Sequence, residues 1–299
     1  MDQIDDKDFL DPRVYPYRKD VAADFLEGRV KSKTFVSGKE KRLGVAWAPV
    51  MSKPSIDSKG ASDILQTSEL LFGELFTVFE EKAGWSWGQC AHDGYVGYIK
   101  SSNLFQTLNK PSHWVSAISC LVFPDSKGEY PPLMRLSMTA CVKVDLVKGK
   151  YARLASGGWI FNKHIKPIGE IQPDFITTAS MLNREPYLWG GRGGQGIDCS
   201  GLIQVSLAAA GVIVPRDTDQ QANNIGIDVP LSKKTSELQP SDIIFFPGHV
   251  GIYLGSGALL HASSHEMMVE TQSLEVVVAR MENRHGQGIT RIRRQVKKV

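Results

Sequence analysis

Asp198-Cys199-Ser200-Gly201 puts a thiol between a glycine-rich turn and a good helix. Upstream, Tyr187-Leu188-Trp189-Gly190-Gly191-Arg192-Gly193-Gly194 is too rich in glycine for regular structure. Downstream, Leu202 to Ala210 combines strong helix formers with an apolar stripe and is closed by Gly211. Cys199 is therefore expected in the first turn of a helix, where free N–H groups and the helix dipole favour thiolate over thiol. A nucleophilic thiol also needs an imidazole to take its proton and a third group to orient that imidazole. Asp242 to Leu254 reads as two apolar strands joined at Pro247-Gly248, with His249 opening the second, and Ala258 to Ala262 reads as the next strand, carrying His261. Neighbouring strands would set His249 beside His261 on one face of a sheet, with the Cys199 helix packed against it.

These segments resemble the NlpC-type cell-wall peptidases, a papain-like cysteine peptidase family of bacteria. The likeness runs from about Asp174 to Met281 through Pro186-Tyr187-Leu188-Trp189-Gly190-Gly191, Asp198-Cys199-Ser200-Gly201-Leu202, Pro215-Arg216-Asp217-Thr218-Asp219-Gln220, Leu238-Gln239-Pro240-Ser241-Asp242, His249-Val250-Gly251-Ile252-Tyr253 and His261-Ala262, in the family's order. The resemblance implies that Cys199 is the nucleophile, His249 the general base and then acid, and His261 the residue that orients His249. It also implies that Tyr187 stands near the oxyanion with the backbone N–H of Cys199.

The remainder of the chain frames this chemistry. It has 299 residues, 42% hydrophobic and 22% charged, enough for two or three domains. A net charge of +3 is no reason to expect nucleic acid, and the basic Arg291 to Val299 reads as a solvated terminus. No run reaches membrane-spanning length and the opening residues are acidic, so the expectation is a cytoplasmic protein without a membrane partner. Cys90, Cys120 and Cys141 read as strand-borne core residues, with no disulfide expected. His261 and His265 have a helix-type metal spacing, but they sit in a strand and the loop after it, and no Cys-x-x-Cys occurs. No metal and no cofactor are expected.

Ahead of the peptidase segment, short alternating strands are punctuated by glycine turns, as small antiparallel barrels require. The run from Glu69 to Glu81, then Gly84-Trp85 and Asp93-Gly94-Tyr95-Val96-Gly97-Tyr98, resembles the bacterial SH3-like domain, and a weaker copy follows Pro111 and ends at Gly158-Trp159-Ile160. Asp11 to Gly28 reads as a separate arm, helical around Val21 to Leu26. The expected fold is thus multidomain: an N-terminal arm (1–35), two small all-β SH3-like barrels (36–108 and 109–170), and an α+β papain-like catalytic domain (171–299).

Such barrels could bind polymeric cell wall, or the first could form a wall of the active site and limit the substrate to small peptides. The combination resembles the γ-D-glutamyl-L-diamino acid endopeptidases, which act on murein peptides with a free N-terminal L-alanine in wall-peptide recycling. Recognising an ammonium calls for a carboxylate and hydrogen-bond acceptors in a closed pocket. Asp198 and Ser200 are the candidates beside the nucleophile. By resemblance, Tyr95 and an acid from Glu69 or Glu74 would close the pocket from the barrel side. A general wall endopeptidase or amidase without the free-alanine requirement is the alternative reading. The diamino acid after D-glutamate and the oligomeric state are not readable from the chain.

Overall fold

A computed structural model describes residues 10–54, 65–106, 109–231 and 237–295. Its C-terminal half holds four helices, α1 (Phe175–Met181), α2 (Cys199–Ala209), α3 (Thr218–Asn224) and α4 (Leu274–His285), around one six-stranded sheet. The strands lie in the order 227–229, 291–294, 242–246, 249–255, 258–263, 268–273, and every neighbouring pair is antiparallel. All five residues of Asp242–Phe246 are buried, which explains why that strand is nearly all apolar. α2 is buried on almost every side, contacting α1 and the strands 249–255 and 258–263, so its apolar residues are not confined to one stripe.

Residues 39–105 form a seven-stranded sheet in the order 66–71, 47–51, 96–100, 85–90, 75–82, 39–43, 104–105, closed over a core that includes Val50, Leu70, Phe76, Cys90 and Ile99. The chain reverses at Gly73, where φ is +75° and a Cβ would meet the Cys141 carbonyl oxygen at 2.0 Å. Residues 113–167 make a three-stranded and a five-stranded sheet around a second core that includes Val115, Cys120, Val122, Leu136 and Ile160.

Two local expectations are corrected. Val21–Ala23 is a strand paired in parallel with Thr34–Val36, and Asp24–Leu26 is a single 3₁₀ turn; the segment is too short to nucleate an α-helix, and burial of Val21, Ala22, Ala23 and Leu26 fixes its shape. Arg291–Arg294 is no solvated tail. It inserts between 227–229 and 242–246, where Arg294 reaches both oxygens of the buried Asp242 at 2.6 and 2.8 Å and Arg293 pairs with Asp228 at 2.8 Å. Residues 296–299 lie outside the described residues. All four cysteines are free thiols, and among the described residues no helix is long and apolar enough to cross a membrane.

Candidate active site

Asp198 caps α2 and does more than cap it. Its Oδ1 accepts from the Gly201 N–H (2.7 Å), the Ser200 hydroxyl (3.2 Å) and Arg216 Nη1 (3.1 Å), while Oδ2 accepts from the Gly190 N–H (2.8 Å) and Arg216 Nη2 (2.6 Å). Arg216 also donates to the hydroxyls of Ser200 (2.6 Å) and Ser68 (3.2 Å), and so ties the glycine turn, the helix start and a strand of the first β-module into one buried unit. Gly201 is required here because a Cβ would meet the Gly191 carbonyl oxygen at 2.2 Å.

The Cys199 side chain, buried at the start of α2, lies against the backbone N–H of Val250, which places sulfur beside the first residues of the strand that begins with His249. Burial, with the Asp198 charge next in importance, pushes the thiol up to about 12, against the Val250 N–H, Arg216 and the Ser200 N–H at the helix start, which pull it down. The expectation of a resting thiolate is therefore corrected: desolvation outweighs the helix dipole. Burial likewise pushes His249 down to about 3 and His261 to about 4, with the Arg280 charge adding to both.

The histidines form a directed relay. His249 Nε2 lies 2.8 Å from His261 Nδ1, and His261 Nε2 lies 3.3 Å from Gln272 Oε1 on the next strand. With the Gln272 oxygen accepting from His261 Nε2–H, His261 Nδ1 is an acceptor and His249 Nε2 carries its proton. That tautomer leaves His249 Nδ1 with a free lone pair.

Cys199, Asp198, Ser200, Tyr187 and Tyr95 all line one cleft of about 280 Å³, together with Thr67, Trp189, Asp217, Arg13 and Gly248. His249 and His261 line a second recess of about 200 Å³, and Gly248, which precedes His249 in the chain, lines the cleft. Glu69 and Glu74, the acids expected on the barrel side, are not in the cleft. Glu69 accepts from the backbone N–H groups of Arg192 (2.7 Å) and Gly194 (3.0 Å), and Glu74 takes the Arg192 guanidinium at 2.9 and 3.1 Å. Both hold the glycine turn on the β-module. The acid that does meet the barrel is Asp217, whose Oδ2 accepts from Tyr95 (3.2 Å) and Arg13 (2.9 Å), and burial raises its carboxyl above the usual range. Asp217 lies inside a segment quoted above for its resemblance, but nothing local marks its contact with Tyr95. Gln272 and Arg13 carry no sequence signal.

A thiol, an oriented imidazole pair and a lined cleft at a helix start define a cysteine peptidase site. The comparisons agree: residues 184–284 match the NlpC/P60 family and residues 59–104 the bacterial dipeptidyl-peptidase Sh3 domain. Among curated relatives, the dipeptidyl-peptidase 6 of Lysinibacillus sphaericus is 34% identical over 69% of this chain and 83% of its own length. The γ-D-glutamyl-L-lysine dipeptidyl-peptidase of Bacillus subtilis is 26% identical over 71% and 77%. A solved NlpC/P60 family protein from Bacillus cereus superposes with a TM-score of 0.72 at 21% identity, covering 86% of this chain and 99% of the other, which shows a shared fold. The chain belongs to the NlpC/P60 family of peptidases.

Proposed function

We propose that the chain hydrolyses the bond between γ-D-glutamate and a diamino acid in small wall peptides with a free N-terminal L-alanine, in cell-wall peptide recycling. Cys199 sulfur bonds to the acyl carbon as its proton passes to His249 Nδ1. The oxyanion is held by the Cys199 N–H and the Tyr187 hydroxyl. The amide C–N bond then breaks as His249 returns the proton to the leaving amine, and water attacks the thioester with His249 again as base. His261 and Gln272 hold the tautomer that this cycle needs.

The alanine ammonium is met by Asp217 and the Tyr95 hydroxyl, with Ser200 beside them, while Asp198 holds the pocket in shape. The observation that carries this reading is the Tyr95–Asp217 contact, since it makes the first β-module a wall of the cleft rather than a distant anchor. The two relatives' names, both dipeptidyl-peptidases, support it. We take residues 36–108 and 109–170 as two SH3-like barrels on the strength of their separate apolar cores. Mass spectrometry of the products tests the function: free L-Ala-γ-D-Glu-diaminopimelate should yield the dipeptide L-Ala-γ-D-Glu and diaminopimelate. Equal cleavage of the N-acetylated peptide would favour the general wall endopeptidase instead.

A further inference from the structure

The recess beside the histidines is basic. It is lined by His249, His261, Ser263 and the turn residues Ser264 and His265, and on the other side by Val277, Arg280, Met281 and Arg284 of α4; no lining residue is acidic. Arg280 and Arg284 are one turn apart and share a face of α4, above the buried Val277 and Met281. Among the described residues neither arginine has a hydrogen-bond or ion-pair partner, and the Arg280 charge is felt at both imidazoles. The cleft on the Cys199 side has the opposite character, with Asp198, Asp217 and Asp219 in its wall and its two arginines committed to those carboxylates. Uncommitted guanidiniums beside a catalytic imidazole form a site for an anion, because each offers several charge-assisted donors to a carboxylate.

The chemistry fixes which part of a substrate comes here. His249 must hand its proton to the leaving amine, so the leaving residue lies on the His249 side, and the acyl part lies on the side of Cys199, Tyr187 and Asp217. We propose that Arg280 and Arg284 form a leaving-group subsite that selects a diamino acid bearing a side-chain carboxylate, as in meso-diaminopimelate, over lysine. The proposal rests on the γ-D-glutamyl peptidase reading above. It makes the site dipolar along the substrate, with carboxylates at the ammonium end and guanidiniums at the carboxylate end.

The test compares kcat/KM on three tripeptides of the form L-Ala-γ-D-Glu-X, where X is meso-diaminopimelate, the same residue with its side-chain carboxylate amidated, or L-lysine. The amide keeps size and removes only the charge. Losing one charge-assisted carboxylate contact should cost on the order of tenfold to a hundredfold in kcat/KM. The free acid should therefore lead both other peptides by that factor. In Arg280→Gln, Arg284→Gln and the double variant the acid-to-amide ratio should fall towards one, whereas Arg280→Lys should keep part of it. Each variant's thermal unfolding is recorded so that a misfolded protein is not mistaken for a lost ratio. Equal rates on acid and amide in the unaltered protein, or a ratio unchanged in the double variant, would overturn the subsite alone. If none of the three peptides is cut, the peptidase reading falls with it.

Discussion

Asp198 and Asp217 are both carboxylates beside the nucleophile, yet the structure assigns them opposite sensitivities. Asp198→Asn removes the charge facing Arg216, which is 1% exposed and whose other hydrogen bonds go only to the Ser200 and Ser68 hydroxyls. An uncompensated buried guanidinium costs about 3–5 kcal/mol, a large share of the ~5–15 kcal/mol that holds a typical domain folded. The asparagine oxygen keeps one acceptor, so about 3 kcal/mol is the expected loss. Asp217→Asn, by contrast, weakens a pair whose side chains are 25% and 39% exposed, worth at most ~1 kcal/mol after solvent screening. Its cost should appear instead in turnover of free-amine peptides, at roughly one to two orders of magnitude in kcat/KM. Urea unfolding followed by tryptophan fluorescence and steady-state kinetics on the free tripeptide separate the two. The reasoning is refuted if Asp198→Asn unfolds at the unaltered protein's midpoint, or if Asp217→Asn retains full turnover.

Three further outcomes follow from the same geometry. His249→Ala should abolish turnover while His261→Asn, which keeps an acceptor for the His249 N–H, retains measurable activity; Gln272→Leu should lower kcat with KM little changed, and equal total loss in all three would contradict the relay. His249 and His261 are pushed down to about 3 and 4 in the fold, so below about pH 6.5 the unfolded chain binds protons that the folded one refuses. The histidine contribution is thus present above that pH and lost on acidification. Stability should fall by on the order of 3 kcal/mol between about pH 6.5 and about pH 5, and the His249→Asn, His261→Asn double variant should show a shallower fall in urea midpoints over that window. Gly201→Ala should cost about 1–3 kcal/mol because its Cβ would have to displace the Gly191 carbonyl, and an unchanged melting temperature would rule out that close approach.

The Cys199 helix start and the two histidine-bearing strands were legible because their signals are local: a cap, a glycine stop, and apolar runs split by Pro247-Gly248. The direction in which the Cys199 thiol is shifted was not, since the dipole is a property of the helix but the desolvation that opposes it comes from the surrounding fold. The same division explains Glu69 and Glu74. As acids near strand ends they read as a ligand for the substrate amine, and only the fold shows that Arg192 and the glycine turn engage them. Arg291–Arg294 misled in the opposite direction: its charges suggested solvent, but Asp242 and Asp228 on flanking strands neutralise two of them inside the sheet. Gln272 is one polar residue in an edge strand of ordinary composition, and its part in the relay depends entirely on strand register.

The most direct test of the central claim is to look for the acyl-enzyme. The protein is mixed with L-Ala-γ-D-Glu-diaminopimelate, quenched in acid within one turnover, digested and mapped by mass spectrometry. The account predicts a mass increment equal to the L-Ala-γ-D-Glu acyl group on the peptide that contains Cys199, absent from Cys199→Ala. Product release with no adduct on that peptide, or an adduct on Cys90, Cys120 or Cys141, would contradict it.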